Sequence, residues 1–291
     1  MQEDVDEQTS IRRMRSFAKL LFLGLFILAG CNQIDDNMNS FYKMYGDESA
    51  DVSGLIERVS QRPVYFGHQS VGSNVLGGIA QWETESGVEW RKKETREWPA
   101  SDSGSKVSLV HFGIGQNGGS HGKIDDFAML VDGIPQEGKP VVFFKFCFVD
   151  VDAGTDVEAL FSHYQEQMLN LKEKYPHLQF VLVTVPLTYK YTGLKEMARK
   201  LLGRSFSRVK DNASRDLFNT LLREKLADQF PVFDLAALES TTPDGQTYGP
   251  RKKGKVIPRM YPAYSGDGGH LNEFGAKYIS WNLLAFLAEL E

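Results

Sequence analysis

The stretch "KPVVFFKFCFVDV" (139–151) carries apolar side chains at both odd and even positions. A strand on a one-sided sheet alternates apolar and polar residues, whereas a strand with layers on both faces has no polar side. The stretch therefore predicts a central strand of a parallel sheet, buried from above and below. Four more short runs, "PVYFG" (63–67), "KVSLVHFGIG" (106–115), "QFVLVTVPL" (179–187) and "PVFDLAAL" (231–238), share its β-branched and aromatic character. The segments between them have helical spacing, with Val71, Val75, Leu76 and Ile79 in one and Phe127, Leu130 and Val131 in the next. Further helices are predicted over 157–176, twice within 193–229, and in the closing stretch "NEFGAKYISWNLLAFLAELE". Strand and helix in alternation give an α/β fold with a parallel five-stranded sheet, and such sheets bind ligands at the carboxyl ends of their strands.

The N-terminal region has a different logic. Arg12, Arg13, Arg15 and Lys19 precede an apolar run at 20–29, and Leu28-Ala29-Gly30 lead into Cys31. Charged and then apolar is the order of a secretory signal peptide, and the run is shorter than the roughly 20 residues of a membrane span. The four residues ending in Cys31 resemble the lipobox of bacterial lipoproteins, which implies a lipid on Cys31; an uncleaved anchor helix is the other reading. Met14 is an alternative start. Asn32, by resemblance to proteobacterial sorting, implies the outer membrane of the cell envelope. The expected division is a signal peptide at 1–30, a polar flexible tether at 31–55 and the folded domain at 56–291. With 291 residues, 42% of them hydrophobic, the domain can bury a sizeable core. A formal net charge of −5 argues against nucleic acid as partner. Only two cysteines are present, so a lipidated Cys31 leaves Cys147 alone, as a buried hydrophobe, with no intramolecular disulfide.

Two short segments carry the candidate chemistry. In "FGHQSVG", Ser70 falls at a strand-to-helix turn, where it reads either as an N-cap or as a nucleophile near unpaired helix N–H groups. In "SGDGGHLNEFG", Asp267 and His270 share one turn, so the carboxylate can fix one imidazole nitrogen while the other faces outward. The competing reading has His270 capping the final helix and Asp267 starting a turn. No HExxH pattern and no Cys/His pairs at ligand spacing support a metal.

"YFGHQSVG", "HFGIGQNGG", "PVVFFKFCFVD", "FVLVTVPL" and "DGGHLNEFGAKYIS", in this order, resemble the SGNH or GDSL-type hydrolases over about residues 60–291. The resemblance implies a flavodoxin-like three-layer α/β sandwich. It implies Ser70 as nucleophile, His270 as base and Asp267 as its orienting acid. It also implies an oxyanion hole from the N–H groups of Ser70 and Gly115, and no cofactor or metal. The chain departs from the family at Val149, where the usual G-x-N-D places an asparagine, while Asp150 stays in step. Asn117, otherwise a turn residue, is the candidate substitute. The family's G-D-S has become G-H-Q-S here, with His68 and Gln69 before the serine, and His68 reads as site neighbour or as locally satisfied. Lys145, unusual in so apolar a strand, is expected either to pair with a carboxylate or to line the site.

The segment 190–210 holds seven basic residues against one acidic, and 249–259 adds more positive charge. Both read as solvated surface or as a rim for anionic glycan or lipid headgroups. The function implied is a serine esterase that removes an O-acyl group, acetyl in the simplest case, from a carbohydrate in or outside the cell envelope. Expected partners are a small-molecule or glycan ester and a membrane, through the lipid on Cys31. Two other classes stay open: a polysaccharide O-acyltransferase using the same triad, and a catalytically inactive glycan-binding module, suggested by Val149.

Overall fold

The structure, a computed structural model, describes residues 49–97, 107–189, 211–252 and 254–290. The expected signal peptide, Cys31 and the basic segment 190–210 lie outside the described residues, as does most of the expected tether. Helix α1 (Ser49–Val59) nevertheless begins inside the segment assigned to that tether. Val52, Leu55, Ile56 and Val59 follow i, i+3, i+4, i+7 spacing and all are buried, so the folded body starts earlier than position 56.

The strands then follow in order. β1 (Val64–His68) leads into α2 (Ser70–Ser86), and β2 (Lys92–Glu94) and β3 (Leu109–Gly113) precede α3 (Ser120–Val131). β4 (Val141–Phe144) leads into α4 (Val157–Lys174), after which come β5 (Gln179–Phe180) and β6 (Leu182–Val183). Helix α5 (Asp211–Leu226), β7 (Val232–Phe233), α6 (Leu235–Ser240), a small hairpin of β8 (Arg251–Lys252) and β9 (Lys255–Val256), and α7 (Glu273–Ala288) complete the chain. No helix among the described residues is long and apolar enough to cross a membrane.

The main sheet has five parallel strands in the order β2-β3-β1-β4-β5, and β6 pairs in parallel with β7. β5 and β6 are one extended segment that changes partner: Val181 N–H donates to Val142 O at 3.1 Å, and Leu182 N–H donates to Pro231 O at 2.9 Å. Counted as one strand, they give the order 2-1-3-4-5 of a flavodoxin-like fold, with β2 added outside β3. All five runs read as strands from the sequence are present; β2, with the sequence Lys92-Lys93-Glu94, has no apolar signature.

Alternation along the strands splits the core into two layers. Tyr65, Val110, Phe112, Val142 and Phe144 join Ile124 and Phe127 of α3, Leu160 and Tyr164 of α4, and Phe218 and Leu222 of α5 in one apolar cluster. On the opposite face lie α2 and α7, joined by a Trp82 Nε1 bond to Lys277 O at 3.0 Å. The central strand is shorter than 139–151, because β4 stops at Phe144. Phe146, Cys147 and Val151 stay buried, but in a turn closed by Asp150 N–H to Cys147 O at 3.0 Å. Burial without a ladder gives the same apolar pattern as burial with one.

Candidate active site

Ser70 sits just beyond β1 as the first residue of α2, and Gln69 takes the N-cap position with extended backbone. The capping reading of Ser70 therefore does not hold. At the other end of the sequence, the cap of α7 is Asn272, whose Oδ1 accepts from Gly275 N–H at 2.8 Å. His270 is thereby released from capping.

The turn that carries His270 is built around one carboxylate. Asp267 Oδ1 accepts from the backbone N–H of Gly269 at 2.9 Å and of His270 at 2.8 Å, which leaves Oδ2 for the imidazole. Burial alone would raise the Asp267 pKa, but the His270 backbone and ring and the Gly269 N–H outweigh it and bring it down to about 2. The two glycines serve different ends. Gly268 has φ of +90°, a left-handed value that a side chain resists, whereas a Cβ on Gly269 would lie 2.8 Å from the Phe148 ring. Tyr189 clamps the same turn from the segment after β6, its N–H donating to Gly268 O and its hydroxyl to Ser265 O, each at 3.0 Å.

These pieces meet across 200 positions of sequence. His270 Nε2 lies 3.0 Å from Ser70 Oγ, and His270 Nδ1 lies 2.7 Å from Asp267 Oδ2. With the carboxylate accepting from Nδ1–H, Nε2 holds the lone pair that faces the hydroxyl. Hydroxyl, imidazole and carboxylate are aligned.

Solved structures similar to this one include GDSL-type lipases and acylhydrolases. A GDSL-like lipase from Bacteroides thetaiotaomicron VPI-5482 is 14% identical with a TM-score of 0.45, covering 84% of this chain and 95% of that one. A provisionally named acylhydrolase from Bacteroides fragilis NCTC 9343 is 13% identical with a TM-score of 0.48, covering 78% and 86%. The periplasmic domain of a lipopolysaccharide acetyltransferase from Salmonella ser. Paratyphi A is 12% identical with a TM-score of 0.43, covering 76% and 82%. No protein-family model and no curated protein matches the chain.

The expected oxyanion hole needs correction at Gly115. Its N–H donates to Asp126 Oδ2 at 2.8 Å, and Asp126 Oδ1 is held by Arg96 at 2.5 Å, so this donor is spent within the protein. Gly115 is a glycine for another reason: φ is +47°, and a Cβ would lie 2.5 Å from Lys123. Asn117 is exposed, with its Oδ1 accepting from Lys123 Nζ at 3.0 Å.

The other expected neighbours divide. Gln69 ties two loops, its Nε2 donating to Ile114 O at 3.0 Å and Gly115 O at 3.1 Å. His68 is buried and satisfied locally, Nδ1–H donating to Gln69 O at 3.1 Å and Nε2 accepting from His111 Nδ1 at 3.2 Å. Burial pushes its pKa down to about 4, with His111 and Lys145 adding to the effect against the Gln69 bond, so the ring is neutral at neutral pH. Lys145 forms no ion pair among the described residues; its buried Nζ donates to Phe146 O at 2.9 Å, and burial lowers its pKa. The carboxylate bridge belongs to Lys123, whose Nζ lies 2.6 Å from Asp150 Oδ2. Cys147 is a buried free thiol, as expected. Among the described residues, no group of three or more His, Cys, Asp or Glu side chains is placed to hold a metal.

Sequence reasoning missed Tyr189, Phe148 and Lys123. Phe148 packs its ring edge-on to His270, with centroids 5.2 Å apart at 74°, and so walls one side of the imidazole. "CFVD" pointed to this loop only as a departure from a pattern, and "PLTYK" gave no signal at all.

Proposed function

We propose that the protein is a serine ester hydrolase acting on an O-acyl group. The observation that carries this reading is the hydrogen-bonded series from Ser70 Oγ through His270 to Asp267, at 3.0 and 2.7 Å. In the proposed reaction Ser70 Oγ attacks the ester carbonyl carbon while His270 Nε2 takes the hydroxyl proton. The tetrahedral oxyanion forms against the Ser70 N–H at the start of α2, where the helix leaves its first donors unpaired. His270 returns the proton to the departing alkoxide; water then attacks the acyl-serine with His270 again as base, releasing the acid and restoring the hydroxyl. Asp267, held ionised, stabilises the imidazolium in both halves.

The substrate we propose is a short acyl ester, acetyl in the simplest case, on a carbohydrate. The sequence has no long apolar lid of the kind that shelters a fatty chain, which favours a short acyl group. The leader ending at Cys31 favours the cell envelope as the site of action, with the protein anchored by lipid.

Turnover of p-nitrophenyl acetate by the wild type, Ser70→Ala and His270→Asn tests the reading. Both variants are expected to fall to near the solvent rate. Equal rates for wild type and Ser70→Ala would remove the basis for catalysis and leave a glycan-binding role.

A further inference from the structure

The hydrolase reading is one donor short at the oxyanion. Val149 has no hydrogen to give from its side chain, and the Gly115 N–H is already donated to Asp126 at 2.8 Å. The loop between β3 and α3, however, contains an amide held in one orientation by buried charge.

Lys123 and Asp150 form an ion pair with both side chains 0% exposed. Asp150 staples the loops that follow β3 and β4, since its Oδ1 accepts from Gly118 N–H at 2.7 Å and its Oδ2 from Cys147 N–H at 2.6 Å. Lys123 Nζ, held 2.6 Å from that carboxylate, donates onward to Asn117 Oδ1 at 3.0 Å. An ammonium group only donates, so the oxygen end of the Asn117 amide must face it and the N–H2 end must face the other way. Asn117 is an exposed residue. The same loop is bound to the residue beside Ser70 by the Gln69 bonds to Ile114 O and Gly115 O. A buried ion pair is seldom better for stability than a well-packed apolar pair, so its value here lies in geometry.

We propose that Asn117 donates its amide N–H to the oxyanion in place of the absent asparagine, and that Lys123, steadied by Asp150, positions it. This rests on the hydrolase reading and deepens it. Asn117 is the catalytic residue in the proposal; Lys123 acts only through it.

The test measures kcat and KM for p-nitrophenyl acetate, with melting temperature as a fold control. Asn117→Ala is expected to lower kcat about 100-fold or more with little change in KM. Asn117→Asp keeps an oxygen toward Lys123 but has no N–H to give, so it is expected to fall as far; wild-type activity in Asn117→Asp would overturn the proposal. Lys123→Met is expected to lower kcat in the wild-type background and to add nothing in the Asn117→Ala background. A purely structural lysine would cost the same in both, and that result would overturn its positioning role. Where Lys123→Met does not fold, the two Asn117 variants decide. Ser70→Ala separates the two levels: if it matches wild type the hydrolase reading fails, whereas if it is inactive and Asn117→Ala is not impaired, only the oxyanion proposal fails.

Discussion

Gly78 on α2 is a point where the helix that begins at Ser70 comes close to the helix that follows His270. A Cβ built there would lie 2.2 Å from Ala276 O, 2.5 Å from Ala276 C and 2.6 Å from Ser280 Oγ. Ordinary contact starts near 3.4 Å, so Gly78→Ala must move one helix backbone by about 1 Å, because a carbonyl cannot rotate away as a flexible side chain can. Overpacking of this kind costs about 1–3 kcal/mol or more, against a gain of about 1 kcal/mol in helix propensity. Gly77, next in sequence, has nothing within 4 Å of its Cβ position and collects the gain alone. For a domain of this size each kcal/mol moves the melting temperature by roughly 2–4 °C. Gly77→Ala is expected to melt a few degrees above wild type and Gly78→Ala, at a net cost of up to about 2 kcal/mol, as much as about 8 °C below it. The displacement also reaches the chemistry, since Ser70 begins the same helix about 12 Å away and His270 lies three residues before α7. The 3.0 Å bond between them should lengthen, and kcat should fall in Gly78→Ala and not in Gly77→Ala. Thermal melts and p-nitrophenyl acetate kinetics on the pair check this. Equal melting temperatures would refute the close helix crossing as the element that sets the site.

Three further outcomes follow from particular side chains. Burial raises the Glu239 carboxyl to about 8, against the Leu187 N–H bond and the charges of Lys145 and Arg215. A raised carboxyl stabilises the fold fully below its unfolded value, near 4.3, and that contribution is lost as pH rises toward 8. Glu239→Gln should therefore match wild type near pH 4 and exceed it by up to a few kcal/mol above pH 8 in urea melts; parallel pH curves would contradict this. Asp267→Asn should lower kcat by roughly 10³–10⁴, because the tautomer that presents Nε2 to Ser70 is no longer favoured; kcat within tenfold of wild type would mean another group orients the ring. Phe148→Ala removes an aromatic contact worth about 0.5–1.5 kcal/mol from His270, so kcat should fall roughly three- to tenfold, and an unchanged rate would show that the ring does not steady the base.

Much of this architecture is legible in the residues. The five apolar runs mark β1, β3, β4, the β5–β6 segment and β7 because they are largely buried, and "DGGH" followed by Asn272 marks the turn that joins Asp267 to His270 because both that contact and the helix cap are local. What escapes a reading of the sequence depends on contacts far along the chain. Lys92-Lys93-Glu94 becomes a strand only because β3 offers it an open edge. Lys145 and Lys123 look alike as isolated cations; which one meets Asp150 depends on where α3 packs against the loop after β4. Gly115 matches the expected glycine by position, but the direction of its N–H is set by Asp126, eleven residues later. The boundary of α1 was hidden by its polar neighbours, although Val52, Leu55, Ile56 and Val59 already carry its periodicity.

The charged strand β2 also bears on how copies of this molecule behave beside one another. It spans three residues, two of them lysine and the third glutamate, and it is the outermost rung of the five-stranded sheet. An open sheet margin is a template on which a second chain can add its own backbone and begin edge-to-edge aggregation. So short a margin offers an incoming strand few carbonyl and amide partners and sets charged side chains beside it, which deters growth of β-aggregates from this side at high protein concentration.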